Sequence, residues 1–313
     1  MSSPELVTDI CGIALDHPIV NGSGTLDALT VGTLGLAAFV TKTVTPNSRA
    51  GNPPPRVAET PAGMVNSIGL ANPGLDAFCK RHLPRLAELG VPLIVSVGGW
   101  SREEYATAVA RIGAHPAVAA IELNVSCPNV ETGCISIGTD PGETRELLHR
   151  CRAETDRPLL AKLSPSVVDV AEIATAAAEG GAHGLVLINT VRGMALDRTT
   201  LRPLLGGGGG GLSGPAVKPV ALHAIYHCRA ATGLPIIGMG GVACGQDCLE
   251  FLAAGASAVG VGTSLFRDPG LPVRLLAELA ELLSRRGVAT VGDAVGLAHL
   301  GHHEAQLEVD VYY

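Results

Sequence analysis

The sequence predicts an α/β fold: a (β/α)8 TIM barrel with a small N-terminal hairpin and long loops over its C-terminal face. Three observations point there. Eight short apolar runs recur along the chain, each followed by a helical pattern. The runs are rich in Val and Ile and largely free of charge, as parallel strands covered on both faces must be. Polar residues crowd the C-terminal ends of the runs, which is where such barrels assemble their sites. An open, doubly wound sheet is the alternative that a strand count from one sequence leaves standing.

Taken in order, residues 6–15 read as a hairpin closing the barrel bottom. The eight runs are residues 18–21, 38–43, 92–97, 119–124, 158–162, 184–189, 235–238 and 258–261. Helices fit between or after them at 75–89, 102–113, 143–153, 167–179, 216–232, 246–254 and 273–286. The stretch 167–179 shows the amphipathic period best, with Val167, Val170, Ile173 and Ala174 on one face. Three connections are too long for simple turns: 45–72, 123–140 and 190–215, the last holding six consecutive glycines, Gly206 to Gly211. Long connections without periodicity are usually lids or binding loops. All three leave a strand at its C-terminal end, so all three would cover one mouth. The glycine run reads equally well as a flexible spacer. The polar tail 301–313 is expected to fray.

Composition narrows the function classes. A chain of 313 residues, 47% hydrophobic, accommodates one barrel domain over 1–313. Net charge is −7 with no basic run, which argues against nucleic acid or an anionic membrane as partner. No apolar stretch reaches the length of a spanning helix, and the N-terminus lacks the pattern of a signal peptide. Eight scattered Cys in a chain this long fit reduced thiols and a cytoplasmic setting rather than a disulfide scaffold.

The chemistry centres on IELNVSCPN, residues 121–129. A β-branched strand delivers Asn124, Ser126, Cys127 and Asn129 to its C-terminal end, and Pro128 stops it. Taken alone, Cys127 reads as a small buried hydrophobe beside a turn. Its neighbours change that reading. Ser23 follows strand one, Lys42 and Thr43 end strand two, Ser96 lies in strand three, Lys162 ends strand five, and Asn189 and Thr190 follow strand six. Two Lys at strand tips, with no acidic residue in either run, point to an anionic or electron-rich ligand.

The last two strands end in GMGG (238–241) and GVGT (260–263), the usual place for a phosphate held by backbone N–H groups. Gly240 and Gly241 let the backbone approach, and Thr263 adds a hydroxyl. Gly238, Gly240 and Ala243 also match the dinucleotide fingerprint, but the acidic residue expected about 20 positions on is missing. A mononucleotide phosphate, as in FMN, fits better. Lys162 near a flavin would stabilise negative charge on its pyrimidine edge. Cys127 would then serve as a base or as a nucleophile; no His lies near it in sequence to favour the second role. No metal is expected. Cys127 and Cys134 lack further ligand spacing, and Cys244 with Cys248 reads as a helix face.

These motifs resemble class 1 dihydroorotate dehydrogenases, in which the base is Cys. The resemblance spans nearly the whole chain: NVSCPN at 124–129, TPNSRAGNPPPRVAET at 45–60, NSIGLAN at 66–72, GTDP at 138–141, NTVRGM at 189–194, LSGPAVKP at 212–219, IIGMGGV at 236–242 and GASAVGVGT at 255–263. GTDP and NTVRGM look most like class 1B, the catalytic subunit of an NAD-dependent enzyme. The resemblance implies FMN contacts at Ser23, Lys42, Thr43, Ser96, Asn124, Lys162, Ile188, Gly214, Gly240, Gly241, Gly262 and Thr263. It implies dihydroorotate contacts at Lys42, Asn66, Ser67, Ile68, Gly69, Leu70, Asn124, Asn189 and Thr190. Cys127 would take a proton from C5 while a hydride passes from C6 to FMN N5, giving orotate in pyrimidine biosynthesis. Electrons would go on to NAD through a partner subunit carrying FAD and a 2Fe–2S cluster, in a homodimer or heterotetramer.

Two residues depart from the family pattern: Ser96 where Asn is usual, and Cys134 where Gly is usual. A hydroxyl is shorter than an amide and offers fewer hydrogen bonds. Other readings keep the same barrel but use fumarate, quinone or oxygen as acceptor, or another dihydropyrimidine as substrate. A non-catalytic flavin-binding scaffold is the remaining alternative.

Overall fold

The computed structural model describes residues 3–125 and 137–300. The chain opens with an antiparallel hairpin, β1 (Thr8–Ile10) and β2 (Ile13–Leu15). β3 (Ile19–Asn21) and β4 (Phe39–Val40) enter the barrel, and β5 (Val57–Thr60) and β6 (Gly63–Asn66) leave it. The barrel continues with β7 (Leu93–Val97), β8 (Val118–Asn124), β9 (Leu159–Lys162) and β10 (Gly184–Leu187). β11 (Val191–Gly193) and β12 (Gly210–Ser213) again stand outside. β13 (Ile236–Met239) and β14 (Ala258–Val261) complete the circle.

Eight parallel strands run β3-β14-β13-β10-β9-β8-β7-β4, a nearly closed barrel with helices between, and each of the eight apolar runs supplies one strand. No ladder joins β3 to β4. A side-chain amide spans that seam: Asn21 Nδ2 donates to Val40 O and Asn21 Oδ1 accepts from Val40 N–H, both at 2.8 Å. One side chain thus satisfies the two backbone groups that a partner strand would otherwise meet.

The barrel interior is apolar in its lower layers. Val20, Val40, Ile94, Ala120, Leu160, Val186, Ile237 and Ala258 pack together, and Ile10 and Leu15 of the hairpin join them. The hairpin therefore plugs the bottom, as expected. Helix starts follow their caps rather than the apolar period. Helix Val170–Glu179 begins later than the periodicity predicts because Asp169 accepts the Ala171 N–H. Helix Pro141–Arg152 begins earlier, behind Asp140, which accepts the Glu143 N–H. Among the described residues no helix is long and apolar enough to cross a membrane.

Two of the long connections are not structureless, which corrects the sequence reading. They pair with each other in an antiparallel sheet ordered β11-β12-β6-β5. The glycine run is no spacer: Gly210 and Gly211 lie in β12, opposite Gly193 and Arg192 of β11. Close backbone approach explains the composition. A Cβ on Gly210 would collide with the Asn66 carbonyl, and one on Gly211 with the Thr190 hydroxyl. In the third connection, Cys127 and Cys134 lie outside the described residues, as does the tail 301–313.

Candidate active site

The upper layer of the barrel abandons the apolar rule. Ser23, Lys42, Thr43, Asn124, Lys162, Ile188, Asn189 and Thr190 converge on one cavity at the C-terminal ends of the strands. Gly214, Gly240, Gly241, Gly262 and Thr263 line its other side, and Asn66, Ile68, Gly69 and Leu70 close over it. Residues from both sheets thus meet there. Ser67 and Ser96 are placed differently. Ser67 is buried and accepts from Asn52 Nδ2 at 2.8 Å, outside the lining. Ser96 is fully buried behind Thr43, its Oγ 3.0 Å from Thr43 Oγ1.

A hydrogen-bonded row crosses the cavity floor. Asn189 Nδ2 donates to Asn124 Oδ1 at 3.3 Å, and Asn124 Nδ2 donates to Thr43 Oγ1 at 3.1 Å. Ser23 Oγ stands 3.3 Å from the same Thr43 hydroxyl. From helix Arg102–Gly113, the fully buried Tyr105 hydroxyl donates to Asn124 O at 2.7 Å. The Asn124 amide is fixed from both sides, by Asn189 and by Thr43, so the row is preorganised for a polar ligand.

The opposite side is a backbone cradle. Gly240 and Gly241 take φ +126° and +91°, and a Cβ on Gly241 would stand 2.9 Å from Lys218 Cβ. Only glycine gives this path without strain. Thr263 Oγ1 donates to Ser213 Oγ at 2.7 Å beside it. Lys218 is committed elsewhere, at 2.7 Å from Asp247 and 2.8 Å from Glu250. Those two bonds push its ammonium pKa up. Burial works to raise the Asp247 carboxyl, but Lys218 and the Ala243 N–H together hold it below its usual range.

The sequence reading missed the supports of the 66–72 segment. Arg49 Nε donates to Gly69 O at 3.2 Å, and its guanidinium lies 4.2 Å from the Trp100 ring centroid. Asn72 Nδ2 donates to Leu70 O at 2.7 Å and to Thr45 Oγ1 at 2.8 Å. Both motifs were visible, but their pairing across about 20 residues was not. Glu122 was missed too. Neither Lys-bearing run contains an acid, but the neighbouring strand β8 brings Glu122 Oε1 to 3.9 Å from Lys162 Nζ. A charge inside an apolar strand was the available signal.

Among the described residues, no cluster of three His, Cys, Asp or Glu is placed to hold a metal. Burial pushes the thiols of Cys11, Cys151 and Cys228 up to about 12, so they stay protonated and unreactive.

A parallel barrel whose mouth combines amides, ammonium groups and a glycine cradle is an enzyme of the α/β-barrel class. Comparison with known proteins makes this specific: the chain belongs to the dihydroorotate dehydrogenase family, whose model, described as Dihydroorotate dehydrogenase, matches residues 5–283. It is an oxidoreductase acting on a CH–CH group. A relative from Desulforudis audaxviator (strain MP104C), named "Dihydroorotate dehydrogenase B (NAD(+)), catalytic subunit", is 47% identical over 295 residues, covering 93% of this chain and 96% of that protein. A relative from Solibacter usitatus (strain Ellin6076), named "Putative dihydroorotate dehydrogenase A (fumarate)", is 44% identical, covering 94% and 98%. A solved structure, "Crystal structure of DHODH in complex with ferulenol from Eimeria tenella", matches with TM-score 0.80 and 25% identity, covering 95% of this chain and 89% of that one.

Proposed function

We propose that this chain oxidises dihydroorotate to orotate with FMN held in the barrel mouth, and passes the electrons to NAD+ through a separate subunit carrying FAD and a 2Fe–2S cluster. One observation carries the reading: a single cavity gathers a glycine cradle suited to a phosphate and a floor of amide and ammonium donors suited to a flavin and a carboxylated ring. The residues present fit FMN. Gly240 and Gly241 leave room that a Cβ would fill, and Thr263 adds a hydroxyl to the cradle.

When bound, FMN supplies the two-electron acceptor. This chain's residues do the rest. Lys162 stabilises negative charge on the cofactor's pyrimidine edge, and Ser23, Thr43, Ile188, Gly214 and Gly262 complete the FMN site, with Ser96 acting through Thr43. Lys42, Asn66, Asn124, Asn189 and Thr190 hold the substrate's carboxylate and ring carbonyls. Ile68, Gly69 and Leu70 cover it, with Ser67 bracing that segment through Asn52. Cys127 takes the proton from C5 as base. The protein works in the cytoplasm, as a homodimer or heterotetramer, built on one barrel domain over 1–313.

A second reading, with fumarate as the direct acceptor, draws on the A-type relative at 44% identity. Steady-state orotate formation with NAD+, fumarate, quinone and oxygen, with and without a co-purified iron–sulfur partner, decides between them. NAD+ turnover only with the partner is the expected result. Turnover with fumarate by the chain alone would favour the second reading.

A further inference from the structure

Glu122 is a carboxylate inside the barrel, and the function above gives it no task. It is fully buried, and neither of its oxygens has a hydrogen-bond partner among the described residues. Its register neighbours are Ser96 on β7 and Leu160 on β9, while Lys162 is level with Asn124 one layer higher. Lys162 Nζ stands 3.9 Å from Glu122 Oε1, an ion pair without a hydrogen bond. The Ser96 hydroxyl, the polar group nearest in register, is engaged with Thr43. Beneath lie only Ala120, Leu160, Val186, Ile237 and their apolar neighbours.

For stability alone this is a poor use of an interior position. A buried acceptor without a donor is costly, and an apolar side chain of similar volume would avoid that cost. The carboxylate has one evident electrostatic partner, and that partner lines the cavity. We propose that Glu122 is a positioning residue. It draws the Lys162 ammonium toward the cavity floor and away from the ring bound above, which sets how strongly the mouth favours negative charge there. This rests on FMN occupying the cavity. With Glu122 present, the ammonium is held toward the floor; with Glu122 replaced, it is released toward the bound ring.

The test is the midpoint potential of the FMN-loaded protein, titrated anaerobically against a reference dye. Glu122→Gln removes the charge and keeps the shape. It should raise the affinity for reduced over oxidised FMN about tenfold, a positive shift of about 30 mV for a two-electron couple. On a Lys162→Met background the same substitution should produce no shift, because the carboxylate acts through the lysine. A potential equal to the parent's overturns the proposal, and so does an equal shift without Lys162. Should Glu122→Gln fail to fold, Glu122→Asp keeps the charge but withdraws it by one methylene. A smaller positive shift is then expected, and none overturns the proposal. A parent protein that binds no flavin sinks the FMN reading as well. A parent that binds FMN but shows the same potential as its variants sinks this inference alone.

Discussion

The parallel barrel and the antiparallel sheet at its mouth are held together by different means. Strands β9, β10 and β14 are buried at every position, and apart from Lys162 at the tip of β9 and one glycine each in β10 and β14 they carry only Val, Leu and Ala. Strands β5, β6, β11 and β12 are mostly half-buried, and all but β5 contain glycine. The barrel is stabilised by apolar area removed from water. The mouth sheet depends on backbones that approach closely because side chains are absent. The difference teaches that stability and ligand contact are separable within the barrel too: its apolar lower layers support the fold, while its polar strand tips and the mouth sheet together shape the site.

The widest separation of the two effects is expected at the base. Cys127→Ala removes the base alone, so FMN should remain bound while flavin reduction slows by about 10²–10⁴-fold, the usual worth of a positioned base. Stopped-flow reduction at the parent rate would remove Cys127 from the mechanism. Gly63→Val strikes the mouth sheet, where the new side chain meets the Ser213 carbonyl. A small displacement of substrate contacts should cost about 10²-fold in kcat/KM. Its unfolding midpoint in urea should move less than that of a core substitution.

Leu160→Ala is that core substitution. Leu160 is fully buried inside the barrel, and its truncation should cost about 2–5 kcal/mol by urea unfolding. Turnover per folded molecule should stay near the parent's. Comparable losses of activity in Leu160→Ala would show that the two regions are coupled after all.

The smallest effect is electrostatic. The Asp247 carboxyl is held below its usual range, so it adds stability that is complete above the unfolded carboxylate pKa of about 3.9. That stability is lost as pH falls through the lower folded value. Asp247→Asn should therefore be less stable than the parent at pH 7, and the two should converge below about pH 4. Parallel stability curves across that range would contradict the assignment.

The same contrast explains what the sequence made legible. Each barrel strand is announced locally, because a covered parallel strand must be apolar along its length. Polar tips such as Lys42, Asn124 and Lys162 stand out against those runs, so most of the cavity lining was readable as a set. The mouth sheet was not, because β6 finds β12 across about 145 residues and neither strand has an apolar period. Arg49 and Asn72 act through backbone carbonyls, a role that residue type does not reveal. Ser67 was read as part of a motif, yet its hydroxyl turns to Asn52. Glu122 is not legible from the two Lys runs, because its strand lies beside one of them only in the folded sheet.

The most direct measurement is a spectrum. The purified, FMN-loaded protein is mixed with dihydroorotate under anaerobic conditions, and absorbance near the flavin maximum is followed alongside orotate. Bleaching of the flavin with one orotate formed per FMN is the expected result. A flavin that stays yellow in the presence of substrate, or a protein that holds no flavin, would contradict it.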